Sequence, residues 1–179
     1  MTGILFVCHG NICRSPMAEF MMKDLAKRRG QSSALYVESA ATTTEEIWRG
    51  RGNPIYPPAL AELRRHGIGT PDNELGVSAK RARLMTREDY ARFDYLIGMD
   101  SENLYDMKDI AGGDPEGKIS LLLDYTDHRR SVADPWYTGN FTATWNDCEA
   151  GILGLWDFLV KKGQLPGKGL RGKATRRTS

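Results

Sequence analysis

The chain has 179 residues, 27% of them charged, with 25 Lys and Arg, 23 Asp and Glu, and a formal net charge of +2. That length fits one domain with a proper core, and three cysteines are too few for a disulfide framework, which agrees with a reducing, cytoplasmic setting. No basic stretch followed by a long apolar run opens the chain, so no signal peptide is expected, and no apolar run approaches the ~18 residues of a membrane helix.

The charge is spread unevenly. Gly163–Ser179 holds Lys168, Arg171, Lys173, Arg176 and Arg177 and no acid; setting those five aside leaves 20 basic against 23 acidic side chains, a balance of −3. Residues 1–162 therefore read as the folded domain. Residues 163–179 read as a basic tail whose glycines and scarce apolar side chains predict solvated disorder rather than a nucleic-acid or membrane contact.

Apolar runs and helical patterns alternate along the domain. Residues 3–8 read as a strand, and 16–29 as a helix with Met17, Phe20, Met21 and Leu25 on its apolar side. Residues 35–39 read as a second strand. A helix over 57–66 is opened by Pro57-Pro58 and closed by Gly67. The segment 86–92 reads as a short helix started by Thr86, 94–99 as the third strand, 101–108 as a helix and 118–123 as the fourth strand. A long helix over 141–162 carries Trp145, Ile152, Leu155, Trp156 and Leu159. Such alternation predicts an α/β fold, a parallel sheet covered by helices on both faces.

The segment Cys8-His9-Gly10-Asn11-Ile12-Cys13-Arg14-Ser15-Pro16 joins the first strand to the first helix. Five residues between Cys8 and Arg14 are enough for backbone N–H groups to wrap one anion. Arg14 closes the ring with a planar fork suited to two phosphate oxygens, and the helix start adds unpaired N–H groups and positive dipole charge. The field that holds an anion also favours a thiolate: thiols beside cations or helix N-termini titrate at roughly 3.5–7.5 instead of about 8.5. Cys8 is thus a candidate nucleophile toward phosphorus. Ser15 is placed to donate to the Cys8 sulfur or to cap the helix, and Asn11 to hold a tight loop turn through its side-chain amide.

With these residues the chain resembles the low-molecular-weight protein tyrosine phosphatases. The likeness extends over roughly residues 2–162. It includes Val37-Glu38-Ser39-Ala40-Ala41-Thr42, Arg65-His66-Gly67-Ile68, Asp94-Tyr95-Leu96-Ile97-Gly98-Met99-Asp100 and Asp134-Pro135-Trp136-Tyr137-Thr138-Gly139. It implies a three-layer fold with four parallel strands in the order 2-1-3-4, and the Cys8 loop at the carboxyl edge of the first strand, where open α/β sheets bind ligands. It also implies hydrolysis of phosphotyrosine through a phosphocysteine on Cys8, with Arg14 and the loop amides of His9, Gly10, Asn11, Ile12 and Cys13 on the phosphate. Asp134 would be the general acid and then the general base, with Trp136 and Tyr137 walling the slot and partly desolvating it. Asn11, Ser15 and Ser39 would form a supporting network.

Substrate choice rests on the residue four after the nucleophile. Arginine phosphatases of the family carry Thr there; this chain has Ile12, an apolar wall suited to a phenyl ring. His9 is expected in the same slot, and Trp48, backed by Ile47, is the expected opposite wall. Cys13 is either a redox partner of Cys8 or a packed thiol; Cys148 reads as core. No Cys lies between Cys13 and Cys148, which argues against a disulfide-relaying arsenate reductase. His9, His66 and His128 lack ligand spacing, so no metal or cofactor is expected. The partners implied are a phosphotyrosine protein, a tyrosine kinase among the candidates, and inorganic phosphate as product and competitive inhibitor.

Overall fold

A computed structural model of the chain describes residues 1–167. The predicted disorder of the tail falls mostly on residues 168–179, outside the described residues. In chain order the elements are β1 (Thr2–Cys8), α1 (Arg14–Arg28), β2 (Leu35–Ala41), β3 (Ile47–Trp48), β4 (Arg51–Gly52), α2 (Pro57–Arg65), α3 (Arg87–Arg92), β5 (Tyr95–Gly98), α4 (Ser101–Ala111), β6 (Ile119–Leu121), α5 (Pro135–Thr138) and α6 (Phe141–Lys161), with single 3-10 turns at Ser32–Ala34 and Leu122–Tyr125.

Four strands pair in the order β2-β1-β5-β6, all parallel. This is the expected order of the four principal strands; the hairpin β3–β4 stands apart from their sheet. β1 is central and buried along its whole length, as a strand covered on both faces must be. Its side chains alternate between two cores. Ile4, Phe6 and Cys8 join the larger core with α1, α2 and α6; Leu5 and Val7 join the smaller one with α3 and α4. The period-two rule thus turns Cys8 toward the α1 side.

The helices that frame the sheet's carboxyl edge are set by local chemistry. Asp100 accepts from the Asn103 amide at 2.7 Å, and Asn103 answers through its side chain, so α4 starts immediately beyond β5. Pro57 and Pro58 open α2, where missing N–H groups cost nothing. α1 starts at Arg14, two residues earlier than the apolar periodicity suggests, and Cys13 occupies its cap position with no side-chain cap bond. Ser15 is therefore inside the first turn rather than at the cap, which frees its hydroxyl for Cys8. Packing continues beyond α6: Leu165 is buried, and Gln164 accepts from the Tyr95 hydroxyl at 2.5 Å.

The hairpin went unforeseen. Arg49 and Gly50 both have positive φ, 48° and 76°, as a two-residue hairpin turn of the primed type requires. Trp48 consequently pairs with Arg51.

Candidate active site

Cys8 ends β1 and is 3% exposed. Its Sγ accepts from the Asn11 amide at 3.3 Å and lies 3.0 Å from Ser15 Oγ. Asn11 takes φ of +59°, a conformation its short polar side chain tolerates. That side chain spans the loop: Nδ2 donates to Ser15 Oγ at 2.9 Å and to Ser39 Oγ at 2.8 Å, while Oδ1 accepts from the Arg83 amide at 3.1 Å. Because Ser15 Oγ accepts from Asn11, its own hydrogen is left for the Cys8 sulfur. Ser39 in turn donates to the buried Glu19 carboxylate. Lys23 and Lys80 approach Glu19 at 2.7 and 3.5 Å, and Lys80 Nζ donates to the Ser39 carbonyl at 3.0 Å. Burial lowers the Lys80 pKa even with Glu19 beside it. The sequence offered Asn11, Ser15 and Ser39; Glu19 and Lys80 carried no local signal.

Arg14 is almost fully buried and lies between two carboxylates. Nη1 donates to Asp100 Oδ2 at 2.6 Å, and Nη2 to Asp134 Oδ2 at 3.2 Å. Burial works against its charge, but Cys8 and the two acids outweigh it and raise its pKa. Asp134 caps α5, its Oδ1 accepting from the Trp136 amide at 3.0 Å. Its loop is tied down on both sides. The Val132 amide donates to the Met99 carbonyl at 2.8 Å, the Ala133 amide to Asp147 at 3.1 Å, and Thr144 Oγ1 to the Ala133 carbonyl at 2.9 Å. Arg130 grips the same Asp147 with both nitrogens, at 2.8 and 2.6 Å. Long-range ties of this kind bring Asp134 to the Cys8 loop from the other end of the chain.

A cavity of about 400 Å³ opens here. Its lining includes Cys8, His9, Gly10, Ile12, Cys13 and Arg14 from the loop, and Asp134, Trp136 and Tyr137 from the distant segment. Trp136 and Tyr137 are 63% and 85% exposed. Trp48, the expected opposite wall, is absent from the lining: hairpin pairing holds it out at 73% exposure, with the Arg49 guanidinium 5.5 Å over its ring. That side is lined instead by Glu45 and Glu46, with Glu102 and Asp100 from the start of α4. Glu45 pairs with His9 at 2.8 Å. Gly10 lets Glu46 close in, since a Cβ there would meet Glu46 Cγ at 3.0 Å.

The other two thiols are buried, and Cys13 also lines the cavity. Burial, then the nearby Cys8, pushes Cys13 far above the usual thiol range, and burial pushes Cys148 up to about 12. His66 stacks on Trp145 with ring centroids 3.7 Å apart, in a second cleft of about 770 Å³ lined by α1 and α6 residues and by none of the Cys8 loop. Among the described residues no group of three or more His, Cys, Asp or Glu is arranged to hold a metal. No described helix is long and apolar enough to cross a membrane.

Known proteins are similar to this chain in sequence and fold. Residues 3–165 match the family model described as low molecular weight phosphotyrosine protein phosphatase. The Bacillus subtilis low molecular weight protein-tyrosine-phosphatase YfkJ is 36% identical over 167 residues, covering 92% of this chain and all of its own. Its crystal structure superposes with a TM-score of 0.81 over 90% of this chain and 96% of that one. The human low molecular weight phosphotyrosine protein phosphatase is 37% identical, over 82% of this chain and 88% of its own length. A Drosophila arginine phosphatase shares the fold at a TM-score of 0.74 and 26% identity, over 88% of this chain and 97% of its own. The chain belongs to the low molecular weight phosphotyrosine protein phosphatase family.

Proposed function

We propose that the protein hydrolyses phosphotyrosine in proteins through a phosphocysteine on Cys8. The observation that carries this reading is the meeting of Cys8, Arg14 and Asp134 at one cavity, although Asp134 lies 120 residues beyond Arg14 in the chain. The Cys8 thiolate attacks phosphorus as the bond to the tyrosine oxygen breaks, and Asp134 gives its proton to that oxygen. Arg14 and the loop amides stabilise the charge on the three equatorial oxygens. Asp134, now a carboxylate, takes a proton from water; the hydroxide equivalent attacks phosphorus, the phosphorus–sulfur bond breaks, and thiolate and inorganic phosphate are released.

The hydrogen left on Ser15 supports Cys8 both as nucleophile and as leaving group. Asp100 supports Arg14 by fixing one edge of its guanidinium, so the other edge is presented in a set direction. Ile12 lines the cavity with an apolar side chain, which favours a phenyl ring over a phosphoguanidinium. A cytoplasmic phosphoprotein is the substrate on this reading, a tyrosine kinase among the candidates, and phosphate competes with it for the cradle.

The test is an assay of wild type, Cys8→Ser and Asp134→Ala on aryl phosphates, with acid-quenched turnovers to trap phosphoenzyme. Cys8→Ser is expected to lose essentially all turnover. Asp134→Ala is expected to lose about 100-fold or more with phenyl phosphate and clearly less with 4-nitrophenyl phosphate. Turnover by Cys8→Ser, or phosphate trapped elsewhere than on Cys8, sinks the reading. Side-by-side hydrolysis of phosphotyrosine and phosphoarginine decides the substrate: phosphotyrosine is expected to be preferred.

A further inference from the structure

The proposed acid is held by two ties of different kinds, and one of them runs through Tyr56. The first tie is direct: Arg14 Nη2 to Asp134 Oδ2, 3.2 Å. The second comes from the segment leading into α2. The Tyr56 amide donates to the Ile12 carbonyl of the Cys8 loop at 2.9 Å. The Tyr56 ring lies against Trp136, with centroids 5.4 Å apart and planes tilted by 54°, and also faces Phe141 at the start of α6, at 6.1 Å. Trp136 then holds Asp134 through its amide. The links form a circuit: Ile12, Tyr56, Trp136, Asp134, Arg14 and back to the loop.

The two ties respond differently to substrate. Arg14 Nη2 must turn to the phosphoryl oxygens when these arrive, so its bond to Asp134 is contested at the moment the acid is needed. The Tyr56 tie uses one carbonyl and two ring faces, none of which binds phosphate. It is also well founded. Ile55 beside it is buried, and the Tyr56 carbonyl accepts from Leu60 in the first turn of α2 at 3.0 Å. Trp136 is mostly exposed on its remaining surface, so Tyr56, itself backed by Phe141, supplies the aromatic support of a residue that touches the acid.

We infer that Tyr56 is a positioning residue for the proton transfer: it keeps Asp134 over the scissile oxygen after Arg14 has moved to the phosphate. The inference rests on the proposed role of Asp134. The ring performs this task through contact area and aromatic geometry, and its hydroxyl plays no part.

The test compares kcat/KM, which covers events up to leaving-group expulsion, for phenyl phosphate and 4-nitrophenyl phosphate. Tyr56→Ala is expected to fall about tenfold on phenyl phosphate and less than about threefold on 4-nitrophenyl phosphate, as a displaced acid predicts. Inhibition by inorganic phosphate is expected to stay within about twofold of wild type, because the cradle is untouched. Tyr56→Phe restores wild-type values. In the Asp134→Ala background, Tyr56→Ala adds nothing to the leaving-group dependence. Tyr56→Leu, which keeps apolar bulk, is read by the same criteria should circular dichroism show Tyr56→Ala unfolded.

Equal losses on both esters, phosphate inhibition weakened in step with activity, or a Tyr56→Phe variant as poor as Tyr56→Ala overturns the inference. Should Asp134→Ala show leaving-group dependence and Tyr56→Ala none, the inference alone fails. Should Asp134→Ala show none, the assignment of the acid fails and the inference falls with it.

Discussion

At the scale of single residues, Asn11 concentrates the most function in the fewest atoms. Its side chain joins Ser15, Ser39 and the Arg83 amide, and its backbone sits at φ +59°. Asn11→Ala removes those bonds and leaves a Cβ in a conformation costing about 1–2 kcal/mol. It is expected to lower both the melting temperature and, by about 100-fold, kcat/KM on 4-nitrophenyl phosphate. Asn11→Gly relieves the backbone but restores none of the bonds, so its melting temperature is expected to recover only in part while activity stays low. Calorimetry and steady-state assay on the pair separate the two roles.

The thiols give a second test at this scale. Cys13 and Cys148 are held as thiols by burial, so one equivalent of iodoacetamide at neutral pH is expected to label Cys8 alone. Peptide mapping by mass spectrometry reads the outcome. Most of the cradle was legible in the sequence because its parts are contiguous, from Cys8 to Ser15. Asp100 gives no sign of a site role in the sequence, since an Asp just ahead of a helix has a sufficient role as its cap. Its second bond, to Arg14, exists only because β5 pairs beside β1 and brings their carboxyl ends together. Tyr56, Glu45, Glu46 and Lys80 reach the site through tertiary packing, with no signature of their own.

At the scale of elements, apolar periodicity located the long helices and the four principal strands within a few residues, since each has a face to bury. It said nothing of the hairpin, whose strands have two residues each and no period to display. The turn at Arg49-Gly50 is the available signal, and the hairpin it makes leaves Trp48 exposed and outside the cavity lining. The packing of α6 is sharper than its pattern implies. Gly151 and Gly154 lie under the 3-10 turn Leu122–Tyr125; a Cβ on Gly151 would fall 2.4 Å from Leu122 Cγ, and one on Gly154 2.1 Å from the Tyr125 carbonyl oxygen. Backbone cannot yield as a side-chain tip does. Gly154→Ala, a better helix former in isolation, is therefore expected to destabilise by about 1–3 kcal/mol, lowering the melting temperature by several degrees. A rise in melting temperature would show that helix propensity outweighs the clash.

At the scale of the molecule, the loop bearing Asp134 is moored to α6 through Asp147. Burial pushes the Asp147 carboxyl up, but the bonds from Arg130 and the Ala133 amide overcome it and hold the carboxyl below the usual range. A depressed carboxyl contributes stability that is present above its unfolded value of about 4 and lost as pH falls through its lower folded value. Asp147→Asn is expected to flatten the stability profile in that acidic window and to leave the profile's shape above it unchanged, as urea unfolding at a series of pH values will show. The alternation of strands and helices made a parallel sheet legible in the sequence, but the strand order came from family resemblance, since periodicity does not say which strands are neighbours. The choice of Asp134 as the acid followed from family resemblance, because no local pattern encodes an encounter between segments 120 residues apart.

That separation has a consequence for the protein's birth. Synthesis delivers the strand ending in Cys8 first, yet this strand lies at the middle of the sheet, between β2 and β5. A ribosome must add some ninety more residues before the second flank exists, since β5 begins at Tyr95. Asp134 emerges later still. On the proposed mechanism, a chain cut short ahead of Asp134 holds the nucleophile's strand and loop without the group that would protonate the leaving oxygen, so no such truncated product is expected to complete the cycle.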